Sequence, residues 1–528
     1  MSRNAESRFA VNPTNLDMSR SKFKRPHSVK TTFNVGELIP FYVTEILPGD
    51  SVSIDTSKVV RMQPLVAPIM DNIYLDTYYF FVPNRLVWSH WKEFMGENTE
   101  SAWLPTTEYA IPQLTAPTGG WNIGTIADYM GIPTGVSGLS LNALPFRGYA
   151  LICNEWFRDE NLTDPLYIPV TDSNVTGSNG TSYRTDVAKG GKPFIAAKLH
   201  DMFTSCLPAP QKGPDVTIPS LGNAQVITGN QFTPATGAPI MTGMVNGLTA
   251  NKAAALMGSN EGSSTGDPGK IYGSATEQSL NTLTSRGFIP NNLYADLTSA
   301  TMASINALRT AFQIQKMLEK NAMGGTRYIE LLKAHFGVTS PDSRLQRPEY
   351  LGGNRVPINI NQVLQTSATA SGQTPLGTPG ANSLTVDSHS DFTHSFTEHG
   401  FLFGLMVARY PHSYQQGINR QFLRKDKYDY YWPVFANLGN QAVKNAEIYA
   451  QGTTDDEDVF GYQEAWYDYR YMPNMVSGEM RSAATNTLDA WHLADEYSAL
   501  PTLSDGWIRE NKSNPDRALL VNSSALLS

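Results

Sequence analysis

The most chemically varied stretch of the chain is TRYIELLKAHFGVTSPDSRLQRPEYLGGN, residues 326–354. It holds three arginines, one histidine, several carboxylates and a Gly-Gly pair. These are residue types from which acid–base sites are built. Their spacing argues for another use. Glu330 and His335 are five apart and do not share one helix face well. A helix is predicted over 327–336, with Thr326 as its cap and Gly337 as its stop. Lys333 and His335 fall in its last turn, where cations offset the macrodipole. Beyond Pro341 the chain reads as extended and carries Arg344, Arg347 and Glu349. Arginine forks in such a segment pair with carboxylates of a neighbouring loop or a second subunit. These three are the candidate intersubunit residues.

Other groupings are weaker. His389, His394 and His399 recur every five residues, which collects them on neither a strand face nor a helix face. Loop and strand-end positions are the plainer reading than a metal site. Asp455, Asp456, Glu457 and Asp458 are the weak candidates for a structural divalent cation. The run lacks the glycine and spaced ligands of an EF-hand, so a solvated acidic loop is the alternative. No other cofactor is expected. GSSTGDPGKI at 262–271 departs from a P-loop twice: Ser264 stands where the first glycine belongs, and Ile271 replaces the Mg²⁺-binding hydroxyl. There is no HExxH and no GxSxG. No catalytic residue is assigned, and the chain is not expected to be an enzyme.

The elements that must position these residues read mainly as strands. SVSID (51–55) alternates, with Val52 and Ile54 on one face, after the turn LPGD. IYLDTYYFFVP (73–83) is aromatic and β-rich, and FTEHGFLFGLMVARY (396–410) reads as a buried strand with Phe401, Phe403, Leu405 and Val407 alternating. Helices are predicted at 146–162 and 301–320, with a short one within 84–102. Residues 216–251 carry no charged side chain at all. They lack a core period as well, which suggests an ordered surface excursion. Strands separated by long loops, without a βαβ rhythm, point to an antiparallel sandwich or jelly roll.

Composition agrees. Of 528 residues 17% are charged, below the ~25% of a typical soluble domain, and 10% are aromatic. A disordered chain would lack those aromatics. Cys153 and Cys206 form no CxxC, which excludes a disulfide framework and favours folding in a reducing cytosol. No apolar run is long enough for a membrane span, and the first residues do not read as a signal peptide. The net charge is −8, yet residues 1–30 carry Arg3, Arg8, Arg20, Lys22, Lys24, Arg25 and Lys30 against Glu6 and Asp17. A basic arm before an acidic body makes these seven the candidate nucleic-acid contacts; a merely solvated tail is the alternative.

One resemblance runs through the chain. AFQIQKMLEKNAMGGTRYIELLKAHFGVTSPDSRLQRPEYLGG (311–353) resembles the signature block of the major capsid proteins of gokushovirus-type microviruses, small icosahedral single-stranded DNA phages. HSVKTTFNVGELIPFYVTEILPGD (27–50), MDNIYLDTYYFFVPNRLVW (70–88) and FGYQEAWYDYRYMP (460–473) are similar to the same family and stand in its order. Residues 207–292 and 366–385 match poorly. The resemblance implies an eight-stranded antiparallel jelly roll with long insertions containing a few helices. It implies sixty copies in a T=1 shell around circular single-stranded DNA, with other virion and scaffold proteins and a host cell-surface receptor as partners. It implies no membrane insertion, and assembly in a bacterial cytoplasm. The expected division is a basic arm at 1–30, the first part of the jelly roll at 31–206, a threefold surface protrusion at 207–292, and the helix pair with the remaining strands at 293–528. The family supplies no catalytic residues. From the residues alone, a carbohydrate-binding jelly roll, an adhesin or spike, and a hydrolase on a β-sandwich remain the rival readings.

Overall fold

The computed structural model describes residues 21–100, 107–216, 305–367, 376–520 and 525–527, with the backbone of seven short strands between 225 and 296. Strands β1 (Glu37–Ile46), β2 (Ser51–Val60), β3 (Tyr74–Pro83) and β4 (Phe194–Ile195) precede helix α1 only in part: α1 (Leu144–Ile152) lies between β3 and β4. Then come α2 (Ile305–Gly324), α3 (Tyr328–Phe336), β5 (Glu349–Pro357), β6 (Ile360–Leu364), β7 (Pro379–Ser383), β8 (Thr385–Ser395), β9 (Gly400–Arg409), β10 (Asn440–Lys444) and β11 (Val459–Glu464).

The main sheet has the spatial order β5-β3-β9-β1-β4 with every pairing antiparallel. Successive strands in the chain are therefore not neighbours. β9 sits between β1 and β3, with Phe403 opposite both Val43 and Phe80. β2 pairs with β8 along nearly its whole length, from Ser51 opposite Ser395 to Val60 opposite Thr385.

Both faces of the main sheet are covered, which is why β9 reads as an almost unbroken apolar run. On one face Phe80, Val82, Phe401, Phe403, Leu405 and Val407 pack with α1 and with Trp88 and Trp121. Gly148 in α1 makes this approach possible, since a Cβ there would stand 2.9 Å from the Phe403 ring. On the other face Tyr79, Phe81, Leu402 and Ile46 pack under Phe392 and Phe396, with Val52 and Ile54 of β2 half-buried beside them. Fully burying each such side chain is worth ~1.5–3 kcal/mol. The result is a helix layer, a five-stranded sheet and a two-stranded layer, mainly β as the composition suggested.

Two helices differ from their expected bounds. α1 covers Leu144–Ile152 and passes directly into a π-helical turn, Cys153–Phe157, before the chain turns extended at Arg158. α2 runs on to Gly324, and Gly325 ends it with a φ of +97° that suits only glycine. The expected short helix in 84–102 appears as two single turns, Asn84–Val87 and Trp91–Phe94.

Gln211–Asn321 forms a compact unit of its own. It contains a five-stranded antiparallel sheet in the order Thr276–Ser279, Lys270–Gly273, Ala253–Met257, Met241–Val245, Phe288–Pro290, and a separate pair, Leu293–Asp296 with Gln225–Thr228.

Candidate functional site

Arg327, not Thr326, caps α3. Glu330 reaches back to the Arg327 backbone N–H at 3.1 Å, and Glu160 accepts from the same N–H at 3.3 Å. The Arg327 guanidinium meets both carboxylates, at 3.2 Å for Glu330 and 3.5 Å for Glu160. Its other arm donates to the carbonyls of Asn154 and Arg158 at 2.9 Å each, satisfying the end of the π-turn. Burial and the adjacent Glu160 raise the Glu330 carboxyl above its usual range. Burial works against the charge on Glu160 too, but hydrogen bonds from Glu330 and Thr326 together with Arg327 hold it at about 2. At the far end Gly337 takes the left-handed conformation and its N–H donates to Lys333 O at 3.0 Å, as expected.

The three candidate intersubunit residues fare differently. Arg347 is 8% exposed, and its contacts lie within its own chain. Its Nη2 donates to Glu155 O at 3.2 Å, its Nε lies 3.5 Å from Asp342, and its guanidinium lies 4.2 Å from the Trp156 ring centre. Arg344 is exposed. Glu349 is half-buried, 3.9 Å from His394, and burial raises its carboxyl. The Gly352-Gly353 pair serves packing. A Cβ on Gly353 would stand 2.1 Å from Thr77 O in β3, and one on Gly352 would stand 2.6 Å from Asp391 O in β8.

Further along β5, Arg355 grips Asp76 with two hydrogen bonds of 2.6 and 2.8 Å, and Arg409 adds one of 2.7 Å. Burial opposes the charge on Asp76, yet the two arginines lower its pKa. His389 lies between Asp387 at 2.9 Å and Asp391 at 2.7 Å. The five-residue histidine spacing does not converge: His394 faces Glu349, while His399 packs edge-on to Trp91. In the acidic run, Glu457 bridges Lys425 and Lys444 at 2.5 Å each, which lowers its carboxyl to about 2. Asp456 accepts from the backbone of Gln451 and Gly452, and Asp455 and Asp458 take part through their backbones in the same turn. Among the described residues no group of three or more His, Cys, Asp or Glu is placed to hold a metal ion.

The arm candidates Arg3, Arg8 and Arg20 lie outside the described residues. Lys22, Lys24, Arg25 and Lys30 are exposed. Here the arm follows β1: Arg25 donates to Thr44 at 3.5 Å and the His27 ring lies 5.8 Å from that of Tyr42.

Sequence reasoning missed a buried charged cluster. His412 has no exposed side-chain surface and places Nδ1 2.9 Å from Asp495 and Nε2 3.0 Å from Glu510. Carboxylates only accept, so both ring nitrogens donate and the ring is an imidazolium. Lys198 lies 3.5 Å from Asp495, Tyr497 donates to Asp495 at 2.8 Å, and Asn514 also donates to it. Burial would push the His412 pKa down; the two carboxylates outweigh that and raise it to about 9. No local signal reveals this cluster, because its members are scattered from position 198 to position 514.

Layered strands, wide loops and ion pairs that lock elements together characterise the described part of the chain, an architecture of the kind that viral shell proteins use. The family model described as "Capsid protein (F protein)" matches residues 13–528, and the chain belongs to that family. It is similar to "Capsid protein VP1" of Spiroplasma virus 4, with 43% identity over 508 residues, 96% of this chain and 90% of that protein. The VP1 capsid proteins of Bdellovibrio phage phiMH2K and Chlamydia phage 1 are 40% and 39% identical. Each alignment covers 98% of this chain and 93% of the relative. Among the described residues no helix is long and apolar enough to cross a membrane.

Proposed function

We propose that this chain is the major capsid protein of a small phage, that sixty copies build a T=1 shell around circular single-stranded DNA, and that the shell presents a host-attachment surface. The observation that carries the reading is near full-length identity of 39–43% to three proteins named as capsid protein VP1. The role is structural, and no catalytic step is assigned. The strand order β5-β3-β9-β1 supports an eight-stranded jelly roll, because it places the last of these strands between the first and the second, as nested Greek keys do. The exposed cations of residues 22–30 support contact between the arm and DNA phosphates. The separate unit Gln211–Asn321 supports a surface protrusion at the threefold axes that meets a host receptor. Other virion and scaffold proteins take part in assembly in the bacterial cytoplasm.

The test is production of the full chain in a bacterial host, followed by electron microscopy and nuclease treatment. Closed shells of sixty subunits that protect single-stranded DNA are expected when the genome is supplied. Discrete monomers or elongated spikes would refute the reading. Replacing residues 217–304 with a Gly/Ser linker should leave shells closed and reduce adsorption to the host; unchanged adsorption would remove the attachment role.

A further inference from the structure

Between β9 and β10 the chain carries ten consecutive exposed residues, 425–434. They include Tyr428, Tyr430, Tyr431, Trp432 and Val434, the last 83% exposed. Holding four aromatic rings in water gives an isolated subunit nothing. The rings are nevertheless held in place. Trp432 Nε1 donates to Lys427 O at 2.8 Å, and the Tyr431 N–H donates to the Tyr469 hydroxyl at 3.2 Å. The Arg424 guanidinium lies 5.2 Å from the Tyr430 ring centre and 4.6 Å from that of Tyr469.

The two carboxylates in the run are occupied by their own backbone. Asp426 accepts from the Tyr428 N–H at 2.7 Å, and Asp429 accepts from those of Lys425 and Asp426 at 2.7 and 3.1 Å. Lys425 and Lys444 share the single carboxylate of Glu457, which leaves that trio positive. Lys427 Nζ stands 5.0 Å from the Tyr428 ring centre, and among the described residues no carboxylate is paired with it. Tyr428, Trp432, Pro433, Val434 and Phe435 line an open apolar recess of about 520 Å³, with Lys427 at its rim.

Flat apolar walls beside a free cation match one kind of ligand, a planar base on an anionic strand. The lining offers almost no polar group, so it would accept any base by its π-face, as sequence-tolerant single-strand binders do. A protein partner, whose interface cores are enriched in Tyr and Trp but depleted in Lys and Asp, is the alternative that the test below separates. The geometry points to residues 425–435 as a base-stacking platform for single-stranded DNA, with Tyr428 and Trp432 taking bases and Lys427 a phosphate. This rests on the reading that the shell encloses such DNA.

Ultraviolet crosslinking of DNA-filled particles, and of full-chain subunits mixed with dT20, tests it without any substitution. The tryptic peptide 428–444 should carry the nucleotide adduct. In titrations of subunits with dT20 at low salt, Tyr428→Ala with Trp432→Ala should weaken binding about 30-fold or more. Lys427→Ser should reduce the slope of log K against log salt by about 0.7, one single-strand phosphate contact. Adducts confined to other peptides of DNA-filled particles would overturn the platform and leave the capsid reading intact. Particles without DNA, from wild-type subunits that also ignore dT20, would overturn both. A double variant that binds dT20 like wild type but no longer closes shells would overturn the platform and make this surface a contact between copies. Should the double variant not fold, the wild-type adduct map decides.

Discussion

His412 gives the chain an alkaline limit that can be calculated. The folded pKa is about 9, against ~6.5 in the unfolded chain. A group raised on folding contributes its full stabilisation below the unfolded pKa and loses it as pH rises through the folded one. The difference of roughly 2.5 units, at 1.36 kcal/mol per unit, gives about 3 kcal/mol, lost mainly between pH 6.5 and 9.5. The measurement is urea unfolding of unassembled subunits at half-unit pH steps, stopped at 9.5 so that Lys and Tyr titrate little. His412→Gln supplies the reference. It should be destabilised near neutrality by ~3–5 kcal/mol, because the buried Glu510 loses its cation and Asp495 keeps only Lys198. The gap between wild type and variant should then narrow by about 3 kcal/mol toward pH 9.5. A gap that stays constant across the range, or widens with pH, would refute the imidazolium assignment.

Arg347→Ala should cost about 3 kcal/mol in unfolding experiments on soluble subunits, since a buried cation with in-chain partners disappears, whereas exposed Arg344→Ala should stay within ~0.5 kcal/mol. Equal effects of the two would show that Arg347 is not held as described. Gly353→Ala drives a Cβ into Thr77 O and should cost about 4 kcal/mol or more, seen as loss of soluble protein; a normal melting curve would contradict the β5–β3 register. Replacing Arg20, Lys22, Lys24 and Arg25 with Ser should lower DNA per particle more than shell yield, and equal packaging would make the arm a solvated tail.

Legibility followed the range of the interactions. β2, β3, β9 and α3 were readable because a local pattern reports them: alternation in Val52 and Ile54, aromatic density in 73–83, a glycine stop at 337. The α3 cap was misplaced by one residue because Glu160, far off in sequence, favours Arg327 as its partner. β5 was readable only as extended chain beyond Pro341, without bounds, since Gly352 and Gly353 lower β-propensity and are there only because β3 and β8 approach closely. Arg347 and Glu349 meet Asp342 and His394 of their own chain, and local spacing does not reveal whose chain provides a partner. The His412 cluster was silent because its partners lie 83 and 98 residues away.

The central position of β9 has a consequence for synthesis. β1 and β3 leave the ribosome early, each with an aromatic or apolar face and an open hydrogen-bonding edge. The strand that joins them begins at Gly400, more than 300 residues after β3 ends. At ~5–20 residues per second the nascent chain holds these edges unmatched for roughly 15–65 s. Exposed strands of this composition invite pairing with other chains, so the interval favours protection by host chaperones and sets a ceiling on how densely ribosomes can make the protein without aggregation. The same delay acts as a filter on translation: a chain released before β9 has no way to close its main sheet, and with that sheet open it has no finished surface to offer a growing shell.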